Sequence, residues 1–174
     1  MPIKRHIKYR LIATALTAAT VQANEFDEQA LSVTNAAMAG IWHGIEYLGD
    51  SQEGQAIELT VAISGDNGLD QSLWSREFMI QLDYAEDGTF SQQFSGEVTH
   101  LGDPQPGRWT DIQFHDDKGN WSRTATLDDT FFSTGHRQRF VMQDGVLNIT
   151  AEKLQPDSEG GYQPYWTMVL ERPE

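Results

Sequence analysis

Two arginines stand in stretches where the alternation of residue types predicts apolar side chains. Arg76 alternates with Trp74 and Phe78. Arg123 alternates with Trp121 in a later stretch. A guanidinium inside an apolar core must be paired, because an isolated buried charge costs several kcal/mol or more. If both arginines face inward, the partner is either an acidic side chain of the protein or the carboxylate of a ligand.

Two inward-facing arginines close to each other would form a forked anion site, with Glu46 as the protein's own alternative partner. The other interpretation, and the default, is that both arginines lie near strand starts, so that their stems cover the core while their heads reach water. In the first interpretation, the predicted ligand-binding residues are Trp74, Arg76, Phe78, Phe90, Phe94, His100 and Arg123.

A carboxylate and an imidazole on predicted apolar faces are the candidates for acid–base catalysis. Glu46 shares a face with Trp42, and His100 follows Val98. In a dry pocket, one His or carboxylate with a shifted pKa suffices for general acid–base work on a hydrophobic substrate. If the protein is an enzyme, Glu46 and His100 are therefore the predicted catalytic pair, and both side chains should point into one cavity.

The spacing of the remaining candidate ligands argues against a metal centre. The histidines that could contribute are His43, His100, His115 and His136. No two of them have the short spacing that identifies a metal site, and residues 66–70 lack the distal Glu of a calcium loop. Nucleophile, phosphate-loop and dinucleotide motifs are missing as well. We expect no metal and no cofactor.

The net charge excludes two classes of partner. The chain has 174 residues, with 26 acidic and 12 basic side chains and a formal charge of −14. Nucleic acids and anionic membrane surfaces need a basic face, so we expect neither. The chain has no Cys, which excludes disulfides, thiolate zinc sites and thiol nucleophiles. A hydrophobic fraction of 39% allows a packed core in a single domain, whose oligomeric state the sequence leaves open.

Residues 1–23 predict a secretory signal peptide. Residues 1–10 contain four basic residues and no acid, residues 11–21 are apolar and small, and residues 21–23 resemble a signal-peptidase site. The apolar run is too short to span a bilayer comfortably. Cleavage would leave a single domain, residues 24–174, with a formal charge of −18. We expect this product to be periplasmic or secreted and not inserted in a membrane.

The mature chain predicts one helix followed by strands. Residues 24–39 predict the helix, which Gly40 ends. Asp-Gly pairs at 87–88 and 144–145 signal short hairpins among stretches rich in β-branched and aromatic residues. The nine predicted strands are residues 41–48, 55–64, 73–84, 89–100, 107–114, 121–127, 137–143, 146–154 and 162–172.

The pattern within these strands predicts an all-β fold. Each strand has one wet face and one apolar face, which is typical of antiparallel sheets. Eight or nine such strands with short connections suit a closed up-and-down barrel, because closure removes exposed edges. A β-sandwich is the competing architecture.

The segment Gly40-Ile41-Trp42 resembles the Gly-x-Trp pattern that opens the first strand of the lipocalin-like (calycin) superfamily. The resemblance implies a barrel closed at one end by Trp42, with Arg172 packed across the indole as a cation–π partner. The second lipocalin signature, the late helix and the cysteines are not evident. These differences point to a compact bacterial exported type rather than a secreted animal lipocalin.

These observations predict an exported small-molecule-binding protein that holds an apolar or amphipathic ligand inside a β-barrel. The alternative is an isomerase, lyase or hydratase of the same fold that acts on a hydrophobic substrate. A third possibility is a protein whose acidic outer surface binds a basic partner. Sugar stacking on Trp109 and Trp121 would require both to be exposed, and core packing is their default.

Overall fold

The computed structural model describes one helix and ten strands. The described residues are 26–49, 51–85, 87–96, 104–127, 136–155 and 161–174. The predicted signal peptide and His100 lie outside them. The elements are α1 (Glu28–Met38), β1 (Gly40–Leu48), β2 (Gln55–Ser64), β3 (Asp70–Trp74), β4 (Phe78–Tyr84), β5 (Thr89–Gly96), β6 (Gln105–Phe114), β7 (Trp121–Leu127), β8 (His136–Gln143), β9 (Val146–Leu154) and β10 (Tyr162–Glu171).

The strands form a closed antiparallel barrel. Each strand pairs with its neighbours in sequence, and β1 pairs with β10 to complete the ring. The all-β antiparallel barrel is therefore confirmed, and the sandwich is excluded. Among the described residues, no helix is both long and apolar enough to cross a membrane.

The predicted number of eight or nine strands is wrong, because the segment predicted as one strand at 73–84 is two. Ser75 starts a tight turn between them: its backbone N–H donates to the carbonyl of Phe78 at 2.9 Å. The Ser75 hydroxyl accepts from the backbone N–H groups of Glu77 and Phe78. Such a local side-chain bond competes with the strand ladder and ends β3 at Trp74.

The two ends of the barrel differ in how tightly they are filled. The closed end is the one where α1 leads into β1, and the open end is the opposite one, where β1 connects to β2 and β3 to β4. Inward-facing side chains near the closed end are almost fully buried; they include Trp42, Leu59, Trp121, Phe140, Leu147 and Leu170. Near the open end the filling differs from side to side: Glu46, Ile57, Phe78, Phe94 and Trp166 are half-buried, whereas Leu127, His136 and Gln138 on β7 and β8 are buried.

Helix α1 covers the closed end through polar contacts as well as packing. Asp27 caps its N-terminus by accepting from the backbone N–H of Ala30 at 2.9 Å. The Asn35 side-chain amide donates to the carbonyl oxygens of Gly68 and Leu69 in the β2–β3 connection. These bonds satisfy carbonyl groups of the turn and tie the helix to the rim of the barrel.

The expected contact between Arg172 and Trp42 is present. The guanidinium carbon of Arg172 lies 4.0 Å from the centre of the Trp42 ring, and Nη2 donates to the carbonyl of Ala37 at 3.0 Å. Gly40 leaves the space that this guanidinium occupies, since a Cβ there would lie 2.4 Å from Arg172 Nη1. Partial burial lowers the pKa of Arg172. The contact joins the last strand to the start of the first.

Candidate functional site

Arg123 faces into the barrel at its closed end, as the alternation with Trp121 predicts. Its side chain is 1% exposed. Nη1 donates to the hydroxyl of Thr34 at 2.9 Å and to the amide oxygen of Asn35 at 2.6 Å. Nη2 donates to the amide oxygen of Gln71 at 3.0 Å and to the sulfur of Met38 at 3.1 Å. One guanidinium therefore joins α1, β3 and β7.

No carboxylate among the described residues forms an ion pair with Arg123. Instead, its guanidinium carbon lies 4.4 Å from the ring centre of Trp109 and 4.8 Å from that of Phe140. Ring faces stabilise a desolvated cation, and the amide and hydroxyl oxygens supply partial negative charge. Burial without a counter-charge lowers the pKa of Arg123 to about 9, so the group is still protonated at pH 7.

The predicted anion fork does not form, because the two arginines lie in different places. Arg76 is exposed in the β3–β4 turn, whereas Arg123 is buried under α1. Strict alternation would place Trp74, Arg76 and Phe78 on one face of a strand. The turn breaks this alternation, so residues before and after it no longer share a face. The default interpretation, in which both heads reach water, is correct for Arg76 and wrong for Arg123.

The barrel wall is incomplete on one side of its open end. Strand β2 pairs with β1 over most of its length, but with β3 only from Thr60, opposite Trp74, to Ser64. In the described part of the chain, no strand pairs with this side of residues 55–59. The gap arises because β3 ends at Trp74, before it reaches the open end. The short turn that follows leads into β4, which runs back toward the closed end. We call this opening the wall cleft.

The wall cleft has a volume of about 820 Å³. Its lining combines inward-facing and outward-facing positions of the wall: His43, Gly44, Glu46, Gln55, Ala56, Ile57, Glu58, Thr60, Trp74, Ser75, Arg76 and Glu77. Three of the residues singled out from the sequence, Glu46, Trp74 and Arg76, therefore line one cavity. A volume in this range is typical of small-molecule sites.

Charged groups in the wall cleft are mostly engaged by neighbours. The Glu46 carboxylate accepts from the indole Nε1 of Trp166. Glu58 pairs with His43, whose Nε2 lies 3.1 Å from the Glu58 carboxylate. These contacts hold the side chains in place but do not neutralise the charges of the cleft. Several hydrogen-bonding groups therefore remain accessible in it.

An aromatic cluster lies directly behind Glu46. Trp166 on β10 meets Phe78 on β4 edge to face, with ring centres 5.6 Å apart. Phe78 stacks on Phe94, with ring centres 6.1 Å apart. The three rings are half-buried and face inward, so apolar side chains lie behind the polar lining of the cleft without being part of it.

The positions of the remaining predicted ligand-binding residues differ from the expectation. Trp74 lines the cleft, but it is 46% exposed and faces outward, contrary to its expected inward position. Phe90 is buried nearer the closed end, where its ring lies over Gly107 and packs on Trp109. His100 lies outside the described residues, so the pair of Glu46 and His100 stays a prediction.

Two inward-facing polar pairs were not predicted as pairs, although Gln92 itself stands between Phe90 and Phe94 on a predicted apolar face. Gln138 donates to the amide oxygen of Gln92 at 3.0 Å across the interior. His136 Nε2 lies 2.7 Å from the hydroxyl of Tyr165. Glutamine on an apolar face was a usable signal for Gln92, but the partners are far apart in sequence and only barrel closure brings them together.

The described residues contain no group of three or more potential metal ligands among His, Asp and Glu. Trp109 and Trp121 are 4% and 1% exposed, so neither is placed to stack a sugar at the surface. No model of a known protein family matches this chain, and no curated protein matches it either. The geometry of the barrel and its cleft is therefore the basis for assigning a function.

Proposed function

We propose that the protein is exported and binds a small amphipathic molecule, which it holds in the wall cleft. One observation carries the proposal: a cavity of about 820 Å³ joins a polar rim at the surface to an inward-facing carboxylate. Behind this carboxylate, Glu46, lie the half-buried rings of Trp166 and Phe78. A ligand with a polar head and an apolar tail matches this gradient from rim to interior.

The location of the ligand differs from that expected from the sequence. Large side chains fill the barrel axis at the closed end, where Trp42, Trp121 and Phe140 are at most 1% exposed. We therefore place the entry of the ligand's apolar part at the side of the barrel, past Ile57 and Glu46. Arg123 does not hold the head group, because both of its terminal nitrogens already donate to protein atoms.

Export rests on the composition of residues 1–23. We expect protein recovered from the periplasmic fraction or medium of a bacterial host to begin at Asn24, as read by N-terminal sequencing. Protein that keeps residues 1–23 and stays with the cytosolic fraction would refute export without affecting the binding proposal.

Filling the wall cleft with a larger side chain should weaken the binding of an amphipathic ligand. In Ile57→Trp, the larger side chain occupies the passage from the rim to the interior, and we expect binding to weaken by at least roughly tenfold, a loss of about 1.4 kcal/mol. Isothermal titration of the mature protein with octyl β-D-glucoside, octanoate and octylamine, each below its micellar concentration, measures the affinity for three head groups on one tail.

The matched control is Ala62→Trp, which adds the same side chain to the outward face of β2 at a half-buried position outside the cleft. We expect it to bind like the wild type. If all three amphiphiles fail to bind the wild type, or if Ile57→Trp binds them as the wild type does, the wall cleft is not the ligand site.

A further inference from the structure

The lining of the wall cleft also indicates which head group it receives. We infer that the head group is a sugar ring stacked on Trp74, an inference that rests on the wall cleft being the ligand site. The argument has three parts: the polar groups of the lining, the state of its charges, and the exposed indole.

The polar groups are of the kind that bind hydroxyls. Six of the twelve lining residues have flat hydrogen-bonding ends, namely His43, Glu46, Gln55, Glu58, Arg76 and Glu77. Carboxylate, amide and guanidinium groups can each engage two adjacent atoms, so they suit neighbouring hydroxyls that both donate and accept. A lining this polar is poorly suited to a purely apolar ligand, since each group would lose its water without a replacement bond.

The charges of the lining do not favour an ionic head group. Glu58 is paired with His43, and Glu46 is held by Trp166. Glu77 is exposed in the same turn as Arg76, its neighbour in sequence, so the rim carries both signs together. A carboxylate ligand would meet three acidic residues, which disfavours it. An ammonium ligand would have to share two carboxylates with Trp166 and His43 and would lie near the guanidinium of Arg76. A neutral head rich in hydroxyls can donate to the carboxylates and accept from Arg76 without adding a charge.

The third part is Trp74. Its indole is 46% exposed at the edge of the cleft, on the outer face of β3. A large aromatic ring left in contact with water beside a polar cavity offers an apolar platform with specific geometry. One face of a pyranose ring presents C–H groups, which can cover this platform while the hydroxyls at its edge reach the polar lining.

Titration with the three octyl amphiphiles tests the inference. We expect octyl β-D-glucoside to bind at least roughly fivefold more tightly than octanoate or octylamine. In Trp74→Ala, affinity for the glucoside should fall by roughly five- to tenfold, while Trp74→Phe keeps part of it because a ring remains. Met79→Ala is the control, since Met79 is exposed next to Trp74 across the β3–β4 pair but lies outside the cleft.

The outcomes separate the two proposals. Octanoate or octylamine binding as tightly as the glucoside, with all affinity lost in Ile57→Trp, refutes the sugar ring but leaves the cleft as the ligand site. Unchanged glucoside affinity in Trp74→Ala also refutes stacking on this indole. Glucoside binding that is lost in Trp74→Ala but unaffected in Ile57→Trp would place a sugar on the outer face of β3 alone, and it refutes both the wall cleft as the ligand site and the inference that rests on it.

Discussion

Replacing Arg123 with Met will destabilise the protein by about 2–5 kcal/mol. Met keeps most of the side-chain length but donates no hydrogen bonds. The amide oxygens of Asn35 and Gln71 would then lose their charged donor while staying buried, at a cost of about 1–3 kcal/mol each. Urea denaturation of the wild type and the variant, monitored by far-UV circular dichroism, measures the difference.

An opposing effect sets the lower limit of this range. Burial lowers the pKa of Arg123 to about 9, because desolvation makes its charge costly where it lies. Removing that charge recovers part of the loss, which keeps the net effect within a few kcal/mol. Arg139→Met is the matched control, because Arg139 is exposed on the neighbouring strand and should cost less than about 0.5 kcal/mol. Equal stability of Arg123→Met and Arg139→Met would show that the hydrogen bonds of Arg123 to Thr34, Asn35 and Gln71 contribute nothing to stability.

The same variant gives a second readout, in its pH dependence. Above about pH 9, and up to the ordinary pKa of an arginine, Arg123 of the unfolded chain holds a proton that the folded chain has released. Stability therefore rises with pH for this group, by up to about 1.4 kcal/mol per unit, because the unfolded state binds more protons. We expect the stability of the wild type relative to Arg123→Met to increase from pH 8 to pH 10.5. Parallel pH profiles would contradict an unpaired guanidinium in the core.

Gly44→Ala should disrupt the pairing of β1 with β10 that closes the barrel, which we call the β1–β10 seam. We expect the free energy of unfolding to fall by at least about 3 kcal/mol. A Cβ on Gly44 would lie 1.9 Å from the carbonyl oxygen of Val169 and 2.9 Å from the Cα of Leu170. Because these are backbone atoms, no side-chain rotation can relieve the clash, and β1 must move away from β10. Denaturant titration reports the loss, and faster amide hydrogen exchange confined to β1 and β10 would locate it.

Gly96→Ala provides the comparison. Gly96 is also a strand glycine, but a Cβ there would approach Glu77 and Phe94 no closer than 3.3 Å. We expect its stability to stay within about 1 kcal/mol of the wild type. A Gly44→Ala protein as stable as Gly96→Ala would mean that the β1–β10 seam tolerates a side chain, and that Gly44 is not required for closure.

Much of the fold was predictable because it depends on local patterns. The strands at Gln55–Ser64, Trp121–Leu127 and Val146–Leu154 have the bounds that alternation and turn residues predict. Alternation also placed Arg123 on the inner face, and the Gly-x-Trp segment anticipated the contact between Arg172 and Trp42. The strand bounds and the inner face of Arg123 follow from neighbours in the sequence, since a strand's two faces repeat every second residue. The contact between Arg172 and Trp42 was implied only by the resemblance of the Gly-x-Trp segment.

The break at Ser75 shows where local reasoning fails. Residues 73–84 alternate well enough to read as one strand, but the Ser75 hydroxyl bonds the following backbone and reverses the chain. This local bond moved Trp74 to the outer face and Arg76 to an exposed turn. It also shortened the wall and thereby created the cleft, which no periodicity in the sequence predicts.

The sequence by itself determined an antiparallel β-protein with one helix, a net negative charge and an arginine whose alternation with Trp121 indicates an inward position. Only the tertiary structure decided what that charge contacts, because Thr34, Asn35 and Gln71 meet Arg123 across separations of 52 to 89 residues. The same holds for Glu46 and Trp166, 120 residues apart. Contacts of this kind depend on the registers of all ten strands at once, and on the stagger with which they close.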